Sequence, residues 1–295
     1  MITTANFTSL ENINLAKEIS LVSPLDTPFS TMLLGGGKFD TTTSKIDTWR
    51  TKSLDNTADI SQVEGSETSV FQASARAEMS NVCEIFKKAV SVSGTASASG
   101  ITGVPNSFAE EINDRLIEMK VSMEKQLING VKNDGSATPF IRRMGGLFSF
   151  ALAEQSISNA TAGTLAEADV KDTVKALWTA GMATGQYIGM VNADLKERID
   201  ALYDGKYSYI AQENLFGLVV SSIATNYGTI KLLLNRHMPV DKMVVFDPAY
   251  LKIAYLRQPQ FEMLAKTGDY TQGQVIAELT LKVMNPKAIS VLTFA

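Results

Sequence analysis

Cysteine and histidine are almost absent from this chain of 295 residues, which holds one of each, Cys83 and His237. One cysteine excludes an intramolecular disulfide and suits a reducing cytoplasm. One cysteine with one histidine leaves no zinc site of the usual nitrogen and sulfur composition. A Ser-His-Asp arrangement would need His237 held by a carboxylate, and Asp241 is the only local candidate. The plainer reading is a surface or turn histidine ahead of Pro239. Charge of one sign is scarce as well. The 27 Lys and Arg against 31 Asp and Glu leave −4, a balance that disfavours tight nucleic-acid binding through neutralised phosphates. No apolar run approaches the ~20 residues that span a bilayer. The first 25 residues show no basic stretch followed by an apolar one, so no secretory signal is expected. These absences predict a soluble protein made in the cytoplasm, with no metal and no cofactor.

Partial motifs fail on inspection. Gly35-Gly36-Gly37-Lys38 imitates a phosphate loop, but Met32 stands where the first glycine belongs and Phe39 where Ser or Thr should be. It reads as a joint. No loop has calcium-binding spacing. Cys83 reads as a small apolar strand residue. No active site emerges, and the chain is expected not to be an enzyme.

What the sequence does contain is a long segment, Lys38 to Ser93, that reads as an extended ribbon without a core of its own. Between Arg50 and Ala75 the only large apolar side chains are Leu54, Ile60, Val63, Val70 and Phe71, set among acids, Ser and Thr. So little apolar surface cannot offset roughly 1–2 kcal/mol of backbone entropy per residue. A neighbouring copy of the chain is the simplest support. Lys45 to Thr51 predicts the outgoing strand, Ala77 to Ser93 the return, and Gly65 the tip. Trp49 lies in this ribbon and is expected to pack against a neighbouring subunit.

The rest reads as folded. Thr8 to Val22 predicts a short helix opened by a capping box at Thr8 and Glu11, and Ser23 to Phe29 a stiff connection ending at the three glycines. Ser107-Phe108-Ala109-Glu110 opens a long helix to about Gly130, with Phe108, Ile112, Leu116, Met119, Met123, Leu127 and Val131 on one stripe. Glu110, Glu111, Asp114, Glu118, Glu124 and Lys125 fall largely off it, on a solvated face.

From Thr164 the texture is compact, and 45% hydrophobic content suffices for a core in one large or two modest domains. Val170, Val174, Leu177 and Trp178 mark a helix, with Trp178 in the core. Tyr187 to Val191 predicts a strand, and Asn192 caps a helix carrying Leu195, Ile199 and Leu202. Tyr203 to Glu213 is a tyrosine-bearing loop. Val219 to Ile223, Thr229 to Leu234 and Lys242 to Phe246 predict strands. Asp247-Pro248 predicts a helix through Leu251 and Tyr255, and Gln274 to Met284 a long strand.

This α+β order of parts resembles the major capsid proteins of tailed bacteriophages with the Hong Kong 97 shell fold. Ser23-Pro24-Leu25-Asp26-Thr27-Pro28-Phe29, Val63-Glu64-Gly65 and Val92-Ser93-Gly94-Thr95 are similar to the SU10-like capsid family. So are Tyr227-Gly228-Thr229-Ile230-Lys231, Asn235-Arg236, Phe246-Asp247-Pro248, Leu264-Ala265-Lys266-Thr267-Gly268-Asp269 and Leu281-Lys282-Val283-Met284-Asn285-Pro286. The resemblance spans nearly the whole chain.

It implies an N-terminal arm and the start of the peripheral domain at 1–36, an E-loop at 37–93 lying over an adjacent subunit, and the peripheral domain at 94–163 with its spine helix at about 107–130. An axial domain at 164–262 and a C-terminal return to the peripheral domain at 263–295 complete the implied division. It further implies hexamers and pentamers in an icosahedral virion capsid, built in the bacterial cytoplasm around double-stranded DNA without sequence-specific binding or a membrane. Separate scaffolding, portal and decoration proteins are the implied partners. Because the sequence starts almost at the arm, any scaffold is expected to be a separate protein or a segment already removed. The candidate inter-subunit contacts are Phe7, Trp49, Arg50, Leu54, Val70, Phe71, Tyr207 and Tyr209. Two rivals stay open: an encapsulin-like nanocompartment shell, and a hydrolase or binding domain with a long insertion.

Overall fold

The computed structural model describes residues 26–55, 58–67, 71, 73–99, 107–159, 161–182, 184–203, 213–214, 217–218 and 222–294. The expected helix from Thr8 to Val22 lies outside them, as do Phe7, Val70, Tyr207 and Tyr209.

Helix α1 (Pro28–Gly35) occupies what the sequence predicts as a stiff connection. Phe29 and Leu33, four residues apart, are wholly buried, and that shared face holds the short helix in place. Its N-terminus is satisfied from a distance. The Glu124 carboxylate accepts the N–H of Phe29 at Oε1 and of Ser30 at Oε2, both at 2.8 Å. Glu124 Oε1 also accepts from Asn235 Nδ2 at 2.7 Å. Gly37 takes φ +67 to turn the chain after the helix.

Strand β1 (Phe39–Thr41) is followed by an antiparallel ribbon of β2 (Ile46–Ser53) and β3 (Ala75–Val82). Its register runs from Ile46 opposite Val82 to Ser53 opposite Ala75. The predicted return strand is therefore two strands, because β4 (Glu84–Ser93) leaves the ribbon for another sheet. After the short α2 (Gly94–Ser99) comes the spine helix α3 (Ser107–Asn129), 23 residues or roughly 35 Å long. Met119, Met123, Leu127 and Ile128 are its buried face. Val131 falls beyond the helix end and is 75% exposed. Glu124 is wholly buried rather than on the solvated face.

The remaining elements are β5 (Ser156–Ser158), α4 (Glu167–Thr179), β6 (Gln186–Val191), α5 (Ala193–Tyr203), the short pair β7 (Glu213–Asn214) and β8 (Gly217–Leu218), then β9 (Ser222–Thr225) and β10 (Gly228–Leu234). The chain ends through β11 (Lys242–Phe246), β12 (Leu251–Met263), β13 (Tyr270–Val283) and β14 (Ile289–Thr293). One four-stranded sheet has the order β1-β12-β13-β4, and a six-stranded sheet has the order β5-β14-β11-β6-β10-β9.

The predicted helix after Asp247-Pro248 is instead a single 3₁₀ turn leading into β12. Asp247 does cap that turn, accepting the Ala249 N–H at 2.8 Å. Strand pairing wins beyond it, because Leu251, Ile253 and Tyr255 alternate onto one face and lie along β13. Pro259 would also break a longer helix. In the strand it sits between the pairs Arg257–Glu278 and Gln260–Ile276, where the ladder is already irregular.

Residues 251–263 belong to the sheet beside the spine helix, and β14 joins β11 and β5 in the six-stranded sheet.

Both faces of the six-stranded sheet are covered, which explains the unbroken apolar run Met243-Val244-Val245-Phe246 in β11. Val244 and Phe246 join Phe29, Met119, Met123, Leu127, Leu279 and Leu281 in one core. Met243 and Val245 join Val170, Val174, Leu177, Leu195 and Ile199 in the other, under α4 and α5. Trp178 is not in that core. It is 53% exposed, because the buried stripe of α4 is Val170, Val174 and Leu177, and the next residue lies about 100° further round. Its ring instead rests on Tyr227, centroids 5.6 Å apart.

Candidate functional site: an anchored ribbon with an uncovered tip

The ribbon changes character along its length. At its base Asn81 is wholly buried and fully bonded. Its Nδ2 donates to the carbonyls of Gly145 at 2.9 Å and Leu281 at 2.7 Å, and its Oδ1 accepts the N–H groups of Val82 and Gly145. Lys132 Nζ donates to the Ser80 carbonyl at 2.6 Å and to Ser80 Oγ at 2.9 Å. Lys282 lies 3.5 Å from Asp47 and 5.9 Å from the Trp49 ring centroid.

Trp49 itself is 8% exposed and its ring meets Phe150, with centroids 6.2 Å apart. The expectation that another subunit buries this indole is therefore corrected. The spine-side body of the same chain rises far enough to cover the ribbon's first turns, and a reading of local composition misses such a long-range contact. Its Nε1 has no acceptor among the described residues.

Beyond Trp49 the cover ends. Arg50, opposite Glu78, is exposed, and so is β3 from Ala75 to Glu78. Leu54, Ile60, Val63 and Phe71 are 70%, 81%, 81% and 88% exposed. Local bonds shape this tip: Gly65 takes φ +80, and Ser66 N–H donates to the Val63 carbonyl at 3.1 Å. Asp59 accepts the Ser61 backbone N–H and hydroxyl, which hold its carboxyl below the usual carboxylate range. Of the candidate contacts, Arg50, Leu54 and Phe71 thus lie on one exposed ribbon.

A second exposed apolar feature was not predicted. In the loop after the spine helix, Phe140 is 68% and Ile141 50% exposed. The turn residues Asn133-Asp134-Gly135, with Pro139 further on, are the sequence signals of that excursion. Buried Glu278 pins the loop to β13, accepting from Arg142 Nη2 at 2.6 Å and Arg257 Nε at 3.1 Å.

Titratable groups with catalytic geometry do not appear among the described residues. His237 faces the Asp26 carbonyl, with Nε2 3.3 Å from that oxygen. Burial pushes the Cys83 thiol up to about 11, with Glu278 and Asp47 adding to the shift, so the sulfur stays protonated at neutral pH. Among the described residues no group of three His, Cys, Asp or Glu side chains is placed to hold a metal ion, and no helix is long and apolar enough to cross a membrane.

A ribbon standing off a body of spine helix, four-stranded sheet and six-stranded sheet defines a shell-forming class of protein. The chain is similar to a chain of the cyanophage A-1(L) capsid asymmetric unit, with TM-score 0.72 over 99% of both chains at 14% identity. It is also similar to the encapsulin SrpI of Synechococcus elongatus PCC 7942, with TM-score 0.62 over 94% of this chain and 92% of that one at 12% identity. The fold is the Hong Kong 97-like capsid fold.

Sequence narrows the class. The major capsid protein of Escherichia phage Phieco32 is 27% identical over 96% of this chain and 94% of that protein. Residues 2–295 match the family described as SU10 major capsid protein. The chain belongs to that family.

Proposed function

We propose that many copies of this chain form hexamers and pentamers that close into the icosahedral shell of a tailed bacteriophage around double-stranded DNA. The observation that carries the reading is the ribbon: anchored at Asn81 and Trp49, uncovered at Leu54, Ile60, Val63 and Phe71. Burying each of those four side chains is worth about 1.5–3 kcal/mol, and a second copy supplies the surface that this chain lacks. Assembly and ordering of the ribbon are then coupled. The protein's role is structural, without catalysis, and it resides in the virion capsid. Scaffolding, portal and decoration proteins are separate partners in this reading.

The test replaces residues 54–74 with a two-residue Asn-Gly turn, which closes the hairpin at the observed pair Ser53–Ala75. Negative-stain microscopy should show closed shells from the unmodified chain and only folded, soluble subunits or loose capsomers from the variant. Shells of normal yield from the variant would remove the ribbon from assembly. An encapsulin-type shell shares the fold, and the two differ in content: nucleic acid here, a protein cargo there.

A further inference from the structure

A cleft of about 530 Å³ opens at the C-terminal end of α3, lined by Lys125, Arg143, Arg236 and His237 with Asn129 and Val131. Three cationic side chains around one hollow are unexpected on a chain whose net charge is −4. Arg236 is already paired, its Nε 2.8 Å from the Asp26 carboxylate. Lys125 and Arg143 are exposed and make no ion pair within 4.0 Å among the described residues.

Of the nearby negative groups, Glu124 is buried on three donors, and Glu84, which accepts the Met144 N–H at 3.1 Å, feels the charge of Arg143 without forming an ion pair to it. The end of α3 contributes about −0.5 of an elementary charge. Lys125 and Arg143, two full positive charges, outweigh it. No single carboxylate completes the site, and its open mouth suits a ligand that presents repeated negative charge.

We infer that this cleft binds the phosphodiester backbone of double-stranded DNA without reading sequence. The inference rests on the reading as a capsid protein that encloses DNA. Lys125 and Arg143 supply the phosphate contacts and Arg236 extends them, drawn partly from Asp26. Such contacts position a duplex and carry no base information. A weak site of this kind, repeated once per subunit over a shell, lines a wall with phosphate contacts although each chain is acidic overall.

The experiment measures binding of a short mixed-sequence DNA duplex to the unassembled full chain over a range of salt concentrations. The comparison is with the double variant Lys125→Gln, Arg143→Gln. A control, Lys171→Gln with Lys175→Gln on the exposed face of α4, removes the same charge elsewhere. Each lost phosphate contact lowers the slope of log K against log salt by about 0.9.

The slope should fall by about 1.8 in the cleft variant and stay unchanged in the control, with shells formed by all three proteins. An unchanged slope in the cleft variant overturns the proposal. So does loss of shells in that variant alone, which would make the cleft a contact between copies. Polyglutamate binding that disappears while duplex binding persists would assign the cleft to an acidic polypeptide and also overturn it. If the unmodified chain forms no shells, the proposed function fails, which is a separate result from the binding slopes.

Discussion

Glu124 sits three and four residues before Leu127 and Ile128, and so on the flank of the buried stripe of α3. That spacing is visible in the sequence, yet a carboxylate there reads as solvated until a partner is known. The partner is the start of α1, nearly a hundred residues earlier, whose N–H groups are orphans in any isolated helix. A carboxylate answers those donors and the positive helix end together. Hydrogen bonds to a charged group are worth about 1.5–3 kcal/mol each, and the donors left behind are desolvated. Glu124→Ala should therefore cost the unassembled subunit about 3 kcal/mol or more, read from its urea midpoint. A change below about 0.5 kcal/mol, typical of surface substitutions, would mean that α1 is held without this clamp.

At the scale of elements, legibility followed the reach of the interaction. The spine helix declares itself because its burial repeats at the period of its own backbone, and strands β6 and β11 because they are short, nearly continuous apolar runs. Strand β12 does not, since its state is decided by pairing with β13, and Asp247-Pro248 starts a 3₁₀ turn or a helix equally well. The two tryptophans exchange places for the same kind of reason. Trp49 gains Phe150 and Lys282 from distant segments, while Trp178 lies one residue past its helix's buried edge. Of the candidate contacts, the exposed ribbon was readable from its poverty of apolar residues; the point where it leaves the body was not. In a chain with Trp178→Phe, Trp49 should emit at short wavelength already as a free subunit, and assembly should shift that emission little. A large blue shift on shell formation would show that the free subunit leaves Trp49 in water, and that the ribbon base forms only between copies.

Stability against pH belongs to the whole molecule, because every carboxylate contributes with its own sign. Asp59 and Asp134 are exposed and Glu262 is half-buried; all three are hydrogen-bonded, and their carboxyls lie below the usual range. Such groups add stability above their unfolded pKa and lose it as pH falls through the folded one. Glu84 runs the other way. It is 8% exposed on β4, and burial raises its pKa from 4.5, with the Met144 N–H and the charge of Arg143 opposing the rise. Here the folded state holds the proton more tightly than the unfolded chain, so Glu84's contribution is most favourable below about pH 4.5 and declines as pH rises through the folded pKa. Comparison with Glu84→Gln isolates that one group, because the other carboxylates cancel between the two proteins. The amide oxygen still accepts the Met144 N–H and carries no charge to desolvate. The variant's urea midpoint should exceed that of the unmodified subunit at neutral pH, and the gap should close as pH drops below 4.5. A variant that is less stable at neutral pH would show that Glu84 gains more from Arg143 than burial costs it. A gap that persists in acid would trace to packing, with no part played by the proton.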